Sequence, residues 1–345
     1  MLNRREFIKN ASVSAIGAAG ITAAVSSSSS ASAPESVDTS KILNYNPDME
    51  YRRLGSTNLM VSAVCMGGHT GDTGNGDFDK NRRDVITRCM EVGINYIDAC
   101  CEFEVMYCTK ALKGRRDKMY LALSDCGREI RHEKYRSSKK LLEVLDNLLK
   151  KSGQDYTDLW RVTAYERGGR HSFNTCCELV NALEKAKKQG KARFIGFSSH
   201  DRRWIQMMTR EFPQLDVVLF PYTSMSKRDS RDTVFDILKK HDICAFGIKP
   251  FAAGSIFKGN SQPGSDNFVE DNRMARLALR YILRNPDVIP IPGLSHVGQV
   301  DNVAKAVKER RQLDKSEQAA LKKATAEGMA KLPPKYEWLK NWEYV

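Results

Sequence analysis

What most limits the fold of this chain is a rhythm. Short apolar or β-branched runs alternate with longer segments of helical period through most of its length. Eight runs read as strands, at 62–66, 96–99, 119–123, 158–163, 192–197, 217–220, 244–249 and 288–291. The segment 137–151 is representative of what separates them, with Leu141, Leu142, Leu145 and Leu148 at three- and four-residue spacing. Strands that alternate with helices imply βα units on a parallel sheet. Eight such units in one chain of 345 residues, with no linker in the middle, predict an α/β fold, a single (β/α)8 barrel of TIM type. Residues 51–61 read as a hairpin with a Gly/Ser/Asn turn.

The first 33 residues differ from the rest. Asn3-Arg4-Arg5-Glu6-Phe7-Ile8-Lys9 leads into an uncharged small-residue stretch, a serine run and Ala31-Ser32-Ala33 before Pro34. The reading is a twin-arginine export signal over 1–33 with an A-x-A cleavage site, then a polar linker over 34–46. It implies a periplasmic or exported protein that meets the twin-arginine machinery as a partner. The apolar stretch is shorter than the ~20 residues needed to span a bilayer, so no stable membrane span is expected. The formal charge is +13; the leader, with Arg4, Arg5 and Lys9 against Glu6, carries two of these. Because Asp and Glu are interspersed throughout, the basic excess reads as a solvated face, not a nucleic-acid site. Nine cysteines match no zinc or iron–sulfur spacing, so no metal is expected, and most read as small buried hydrophobes. Cys100, Cys101, Cys108 and Cys126 are the exception, since they could gather at one end of a barrel as a disulfide or metal site.

Several motifs then fall in a telling order: Gly93-Ile94-Asn95-Tyr96-Ile97-Asp98-Ala99, Lys110-Ala111-Leu112-Lys113-Gly114-Arg115-Arg116-Asp117-Lys118, Asp155-Tyr156-Thr157-Asp158-Leu159, the run from Gly190 to Ser198-Ser199-His200, Gly247-Ile248-Lys249-Pro250, and Ile289-Pro290-Ile291-Pro292-Gly293-Leu294-Ser295. Together they resemble the aldo-keto reductase superfamily over 47–345. The resemblance implies a barrel whose N-terminal hairpin closes the bottom, a nicotinamide cofactor, and a catalytic Asp, Tyr, Lys and His at the mouth. Asp98 stands at the Asp position. Phe103, Ser124 and Thr163 stand where the resemblance places the Tyr, the Lys and the His, so the tetrad reads as degenerate; displacement of Tyr107 into the pocket is the alternative for the Tyr. For the cofactor, the resemblance points to Ser198, Ser199, Gly293, Ser295, Gln299 and Asn302, with Leu219 replacing a Gln and Ile248 a stacking Tyr. NADP is the expected dinucleotide and NAD the alternative, with no dinucleotide as a third case. No Lys or Arg lies between Gly293 and Asn302, which leaves His296 as the basic candidate for a 2′-phosphate.

The mouth remains polar, with His69, Glu102, Asp125, Tyr165, Glu166, His200, Tyr222 and Lys249 all near strand C-terminal ends. Asp98, Lys249 and His200 are the candidate catalytic groups, Lys249 to hold a phosphate, pair with Asp98 or act as a base. The function expected is a divergent oxidoreductase acting on a small carbonyl or sugar-like polyol. A non-redox lyase or epimerase, or a non-catalytic binding protein, on the same barrel are the alternatives.

Overall fold

The computed structural model describes residues 38–68, 78–164, 170–231, 233–259 and 263–345. The expected leader and the site candidates His69, Tyr165 and Glu166 lie outside them. The chain divides into two units, Met1–Lys41 and Ile42–Val345. In the first, a 3-10 turn at Thr39–Lys41 is held by Asp38, whose carboxylate accepts the Ser40 N–H and hydroxyl at 3.1 and 2.6 Å. The second begins inside the stretch read as a linker: Ile42 is buried, and the Asn44 amide donates to the Lys118 carbonyl at 2.7 Å.

A hairpin comes first in this unit. β1 (Tyr51–Arg53) and β2 (Met60–Ser62) pair antiparallel, Tyr51 opposite Ser62. Gly55 takes φ +50° in the connecting turn, and a Cβ there would lie 2.3 Å from the Asp242 carbonyl oxygen, so only glycine fits. Eight parallel strands follow: β3 (Met66–Gly67), β4 (Tyr96–Ala99), β5 (Tyr120–Leu123), β6 (Thr157–Thr163), β7 (Ala192–Ser198), β8 (Val217–Pro221), β9 (Cys244–Ile248) and β10 (Val288–Pro290), each hydrogen-bonded to the next in chain order. The ends of this sheet meet, since Cys65 N–H donates to the Pro290 carbonyl at 3.0 Å and Gly67 N–H to that of Pro292 at 2.7 Å. The expected fold is therefore present, with one change. The run 62–66 is not the first barrel strand: its start pairs in the hairpin, the chain bends through Ala63 and Val64, and only Met66–Gly67 joins the sheet.

Helices follow the strands in turn: α1 (Phe78–Glu91), α2 (Glu102–Ala111), α3 (Ser138–Ser152), α4 (Phe173–Lys188), α5 (Arg202–Glu211), α6 (Val234–Lys240), α7 (Phe268–Leu283) and α8 (Val297–Lys308), with α9 (Lys315–Ala330) added at the end. The period of two along each strand sorts its side chains. Ile97, Ala99, Trp160 and Val162 point outward into the cluster under the helices. Tyr96, Ala122, Leu159, Leu219 and Phe246 fill the barrel, where the rings of Tyr96 and Phe246 stack at 4.6 Å. Leu54 and Val61 of the hairpin region belong to that inner cluster too. After α9, 3-10 turns at Pro334–Trp342 cross to the strand C-terminal ends. Trp342 stacks on Phe220 at 5.7 Å and donates its indole N–H to the His200 carbonyl at 3.2 Å. Among the described residues no helix is long and apolar enough to cross a membrane.

Candidate active site

The alternation that packs the barrel also builds its polar layer. On β4, Asp98 follows Tyr96 on the inner face; on β6, Arg161 follows Leu159. Ala122 of β5, opposite Asp98 in register on one side and Leu159 on the other, puts only a methyl between them. The Arg161 guanidinium reaches across it and binds Asp98 with two hydrogen bonds, Nε to Oδ1 at 2.8 Å and Nη2 to Oδ2 at 2.6 Å. Both residues are buried, and a paired fork of this kind is what permits two charges inside a barrel. Burial pushes the Asp98 carboxyl above its ordinary value, with the Arg161 charge pulling the other way. Burial also opposes the Arg161 charge, and the carboxylate more than offsets it, holding the guanidinium well above its ordinary value. Asp98 thus has a cation, but not Lys249, the partner weighed from the sequence.

Behind this pair lies a second network. Arg161 Nη1 donates to Thr163 Oγ1 at 3.0 Å, and Thr163 Oγ1 shares a 2.7 Å hydrogen bond with Ser124 Oγ. Ser124 Oγ in turn donates to Glu129 Oε2 at 2.7 Å. Glu129, fully buried, also accepts the backbone N–H of Thr163 at 2.6 Å and of Asp125 at 2.8 Å. Burial dominates these bonds and raises its carboxyl to about 7, so Glu129 changes charge near neutral pH. The direction of the two hydroxyls depends on that charge. An ionised Glu129 draws the Ser124 proton, and Ser124 then draws that of Thr163; a protonated Glu129 donates to Ser124, Ser124 to Thr163, and the Thr163 O–H is left to point elsewhere.

Elsewhere means a cleft of about 1090 Å³ at the strand C-terminal ends, lined by Asp98, Arg161 and Thr163 at its base. Gly293, Ser295, Gln299 and Asn302 line it toward the start of α8, and Phe251, Phe257, Tyr336 and Trp338 also line it. Gln299 Oε1 fixes the Ser295 loop by accepting its N–H at 2.8 Å and hydroxyl at 3.0 Å. Asn302 accepts a hydrogen bond from Arg276 Nη1 at 2.6 Å. A cation from α7 therefore stands behind this part of the lining, supplied from outside the 293–302 stretch where the sequence offered only His296; Arg276 also pairs with Glu309 at 3.0 Å. Lys249 lines the cleft, with its ammonium 5.7 Å from the Tyr336 ring centroid. His200 lines it as well, stacked on Trp338 at 3.6 Å, with Nδ1 buried and without a hydrogen-bond partner among the described residues. Burial, then Lys249 and Arg131, push the imidazole down to about 3. His200 is therefore a neutral imidazole at neutral pH, set in the cleft wall.

The model of the aldo/keto reductase family matches residues 63–274, more than half of the chain. The chain belongs to the aldo/keto reductase family. Curated relatives include L-galactose dehydrogenase of Arabidopsis thaliana, 25% identical over 77% of this chain and 90% of the relative. Another is L-glyceraldehyde 3-phosphate reductase of Escherichia coli O157:H7, 24% identical over 66% and 68%. Among solved structures, the holo form of an aldo-keto reductase from Bacillus halodurans superposes with a TM-score of 0.62 at 22% identity, covering 80% of this chain and 96% of that one. An aldo/keto reductase from Klebsiella pneumoniae in complex with NADP and acetate gives 0.61 at 19% identity, covering 79% and 94%. These two establish likeness of fold.

For an aldo/keto reductase, the placement of the sequence candidates is uneven. Asp98, Thr163, Ser198, His200, Lys249, Gly293, Ser295, Gln299 and Asn302 share the one cleft. Ser124 sits one hydrogen bond behind Thr163. Ser199 is buried and caps the next turn, accepting the Asp201 N–H at 3.1 Å, and does not line the cleft. Phe103 is also off it: 36% exposed, it packs its ring 4.3 Å from that of Tyr107, which does not line the cleft either. The reason is the early start of α2 at Glu102. Glu104, at the third helical position, turns back to accept the Cys100 N–H at 2.7 Å, and its neighbour Phe103 is thereby rotated outward. Glu102 is engaged with Arg128 and, at 2.8 Å, with Lys151; Tyr222 accepts from the Asn285 amide at 3.1 Å. Arg161 and Glu129 were not among the candidates. Alternation along β6 marks Arg161 as inward, whereas no spacing rule marks Glu129 in its loop.

Proposed function

We propose that this chain is a divergent, exported oxidoreductase that uses a nicotinamide dinucleotide, NADP before NAD, on a small carbonyl or sugar-like polyol. The observation that carries the reading is the hydroxyl chain from Glu129 through Ser124 to Thr163, which ends in the cleft beside a buried Asp98–Arg161 pair. In this reading the usual phenol, lysine and histidine have given way to Phe103, Ser124 and Thr163. Proton supply then passes to the hydroxyl chain.

The residues present fit such a cofactor. The lining along Gly293, Ser295, Gln299 and Asn302 reaches the N-terminus of α8, whose capping position, His296, supplies no side-chain acceptor; such a terminus suits a phosphate. Arg276 behind Asn302 and Lys249 in the cleft lining add positive charge. Ser198 remains at the nicotinamide end. Bound there, the dinucleotide would supply or accept hydride. In the reducing direction Thr163 donates its proton to the carbonyl oxygen, Arg161 Nη1 supports the oxygen left on Thr163, Ser124 passes its proton on, and Glu129 replenishes Ser124. The aldose in the name of the plant relative supports a polyol or aldehyde substrate. The Arg4-Arg5 leader supports export with the cofactor already aboard.

The test is direct. Purified protein is denatured and any released nucleotide identified by mass spectrometry, while NADPH and NADH are titrated by fluorescence. Bound or titratable dinucleotide is the expected result. No binding of either at millimolar concentration would sink the proposal and favour base-dependent sugar chemistry or a binding role.

A further inference from the structure

The strand β4 ends at Ala99 and α2 begins at Glu102, which leaves Cys100 and Cys101 as a two-residue turn. The sulfur atoms of Cys100 and Cys101 and a carboxylate oxygen of Glu104 all lie within 4.8 Å of one another. The loop after β5 is tied to the same spot: Ser124 N–H donates to the Ala99 carbonyl and Cys126 N–H to that of Cys100, each at 3.0 Å. Within the turn, the Cys100 thiol donates to Glu104 Oε1 at 3.6 Å, and Cys126 lines the same cleft as Cys100. Two thiols and a carboxylate therefore gather on one turn, with the Cys126 loop tied beside them. The other cysteines behave differently. Cys65, Cys89, Cys108 and Cys176 are embedded in the hydrophobic clusters, and Cys108, grouped with these three from sequence, stays in the core.

We propose that Cys100, Cys101 and Glu104 form a site for one thiophilic divalent cation of the zinc class at the cleft, with Cys126 on the adjoining loop placed to complete it. This goes beyond the oxidoreductase reading and does not depend on it. A tetrahedral zinc holds sulfur at ~2.3 Å and carboxylate oxygen at ~2.0–2.2 Å, which sets its ligand atoms roughly 3.5–3.8 Å apart; shifts of about an ångström bring this cluster to that geometry. Cys101 occupies the capping position of α2 with extended backbone and no side-chain cap bond. Cys100, Glu104 and Cys126 line the cleft, so an ion held by them faces the space where a substrate would sit. From sequence these cysteines were the exception that could gather as a disulfide or metal site; the ligands come from adjacency and one helical turn, which no C-x-x-C rule captures.

The test uses the full chain, purified with reductant and stripped by chelator, with Co²⁺ as the probe and Zn²⁺ as competitor. The expected result is one equivalent of cobalt with thiolate-to-cobalt charge-transfer absorption, displaced by zinc. Cys101→Ser is expected to weaken binding by at least about 100-fold, beyond the roughly 10–100-fold that follows loss of a group merely supporting a ligand; Cys177→Ser on α4 leaves it unchanged. Should Cys101→Ser fail to fold by circular dichroism, Glu104→Gln, which keeps the acceptor for the Cys100 N–H, carries the same expectation of weakened binding and an altered cobalt spectrum. Absence of charge-transfer absorption with all thiols shown reduced overturns the proposal. So does a disulfide among these cysteines in the isolated protein that, once reduced, takes up no cobalt.

Discussion

Arg161 and Asp98 bind each other at 2.6 and 2.8 Å in a place where neither could stand alone. Removing one partner of a buried pair leaves an uncompensated charge and costs ~3–5 kcal/mol, whereas replacing both by apolar groups is often near neutral. Arg161→Met is therefore expected to lower unfolding free energy by about that amount in urea titrations, with most of it recovered in the Asp98→Leu/Arg161→Met double variant. Glu129 gives a different signature. Its folded carboxyl is raised from 4.5 to about 7, so between these values the folded protein holds a proton that the unfolded chain has lost. Stability contributed by that proton is full below about 4.5 and disappears as pH rises through 7, by up to roughly 3 kcal/mol. Glu129→Gln should flatten this part of the stability–pH curve. In the reductive assay the same variant should lose the activity change centred near 7; an unchanged pH–rate profile would remove Glu129 from the proton path.

At the scale of elements, the segment after β9 stands apart. Lys249, Ala252 and Ala253 have φ of 58°, 48° and 58°, followed by Gly254 at 85°. Three side-chain-bearing residues thus occupy the left-handed region, each at a cost of the order of 1–2 kcal/mol. This loop presents Lys249 and Ala253 to the cleft, and the contacts of β9 and of the C-terminal turns hold it there. Ala253→Gly is expected to raise the melting temperature through relief of about 1 kcal/mol, as read by calorimetry, provided the loop keeps its form. None of this strain is visible in Lys249-Pro250-Phe251-Ala252-Ala253-Gly254, because Ala reads as a helix former. The strands, by contrast, were legible almost to their ends, since a strand buried on both faces shows itself as an apolar run. The exception was β3: two residues carry no period, and the apolar run that contains it begins in the hairpin.

The whole molecule repeats that division. Barrel closure and the shared cleft follow from eight repeats and from where their strands end; Asp98, Thr163 and Ser198 were legible through the family resemblance that marks those strand ends. Arg161 meets Asp98 across 63 positions of sequence; its inward face was readable, its partner was not. Glu129, the outward turn of Phe103 and the convergence of Cys100 with Cys126 depend on how loops seat on the finished barrel, which local spacing does not encode. The C-terminal turns matter in the same way. They bring Trp338 onto His200 at the cleft wall, while Trp160, Trp204 and Trp342 are buried and do not line the cleft. Of the four tryptophans, one therefore borders the cleft, and reduced nicotinamide absorbs where indole emits. The barrel carries its own lamp beside its cleft: loading it with NADPH should dim the tryptophan emission by energy transfer, and Trp338→Phe should remove the share of that dimming that the indole at the cleft wall contributes, while the other three still respond.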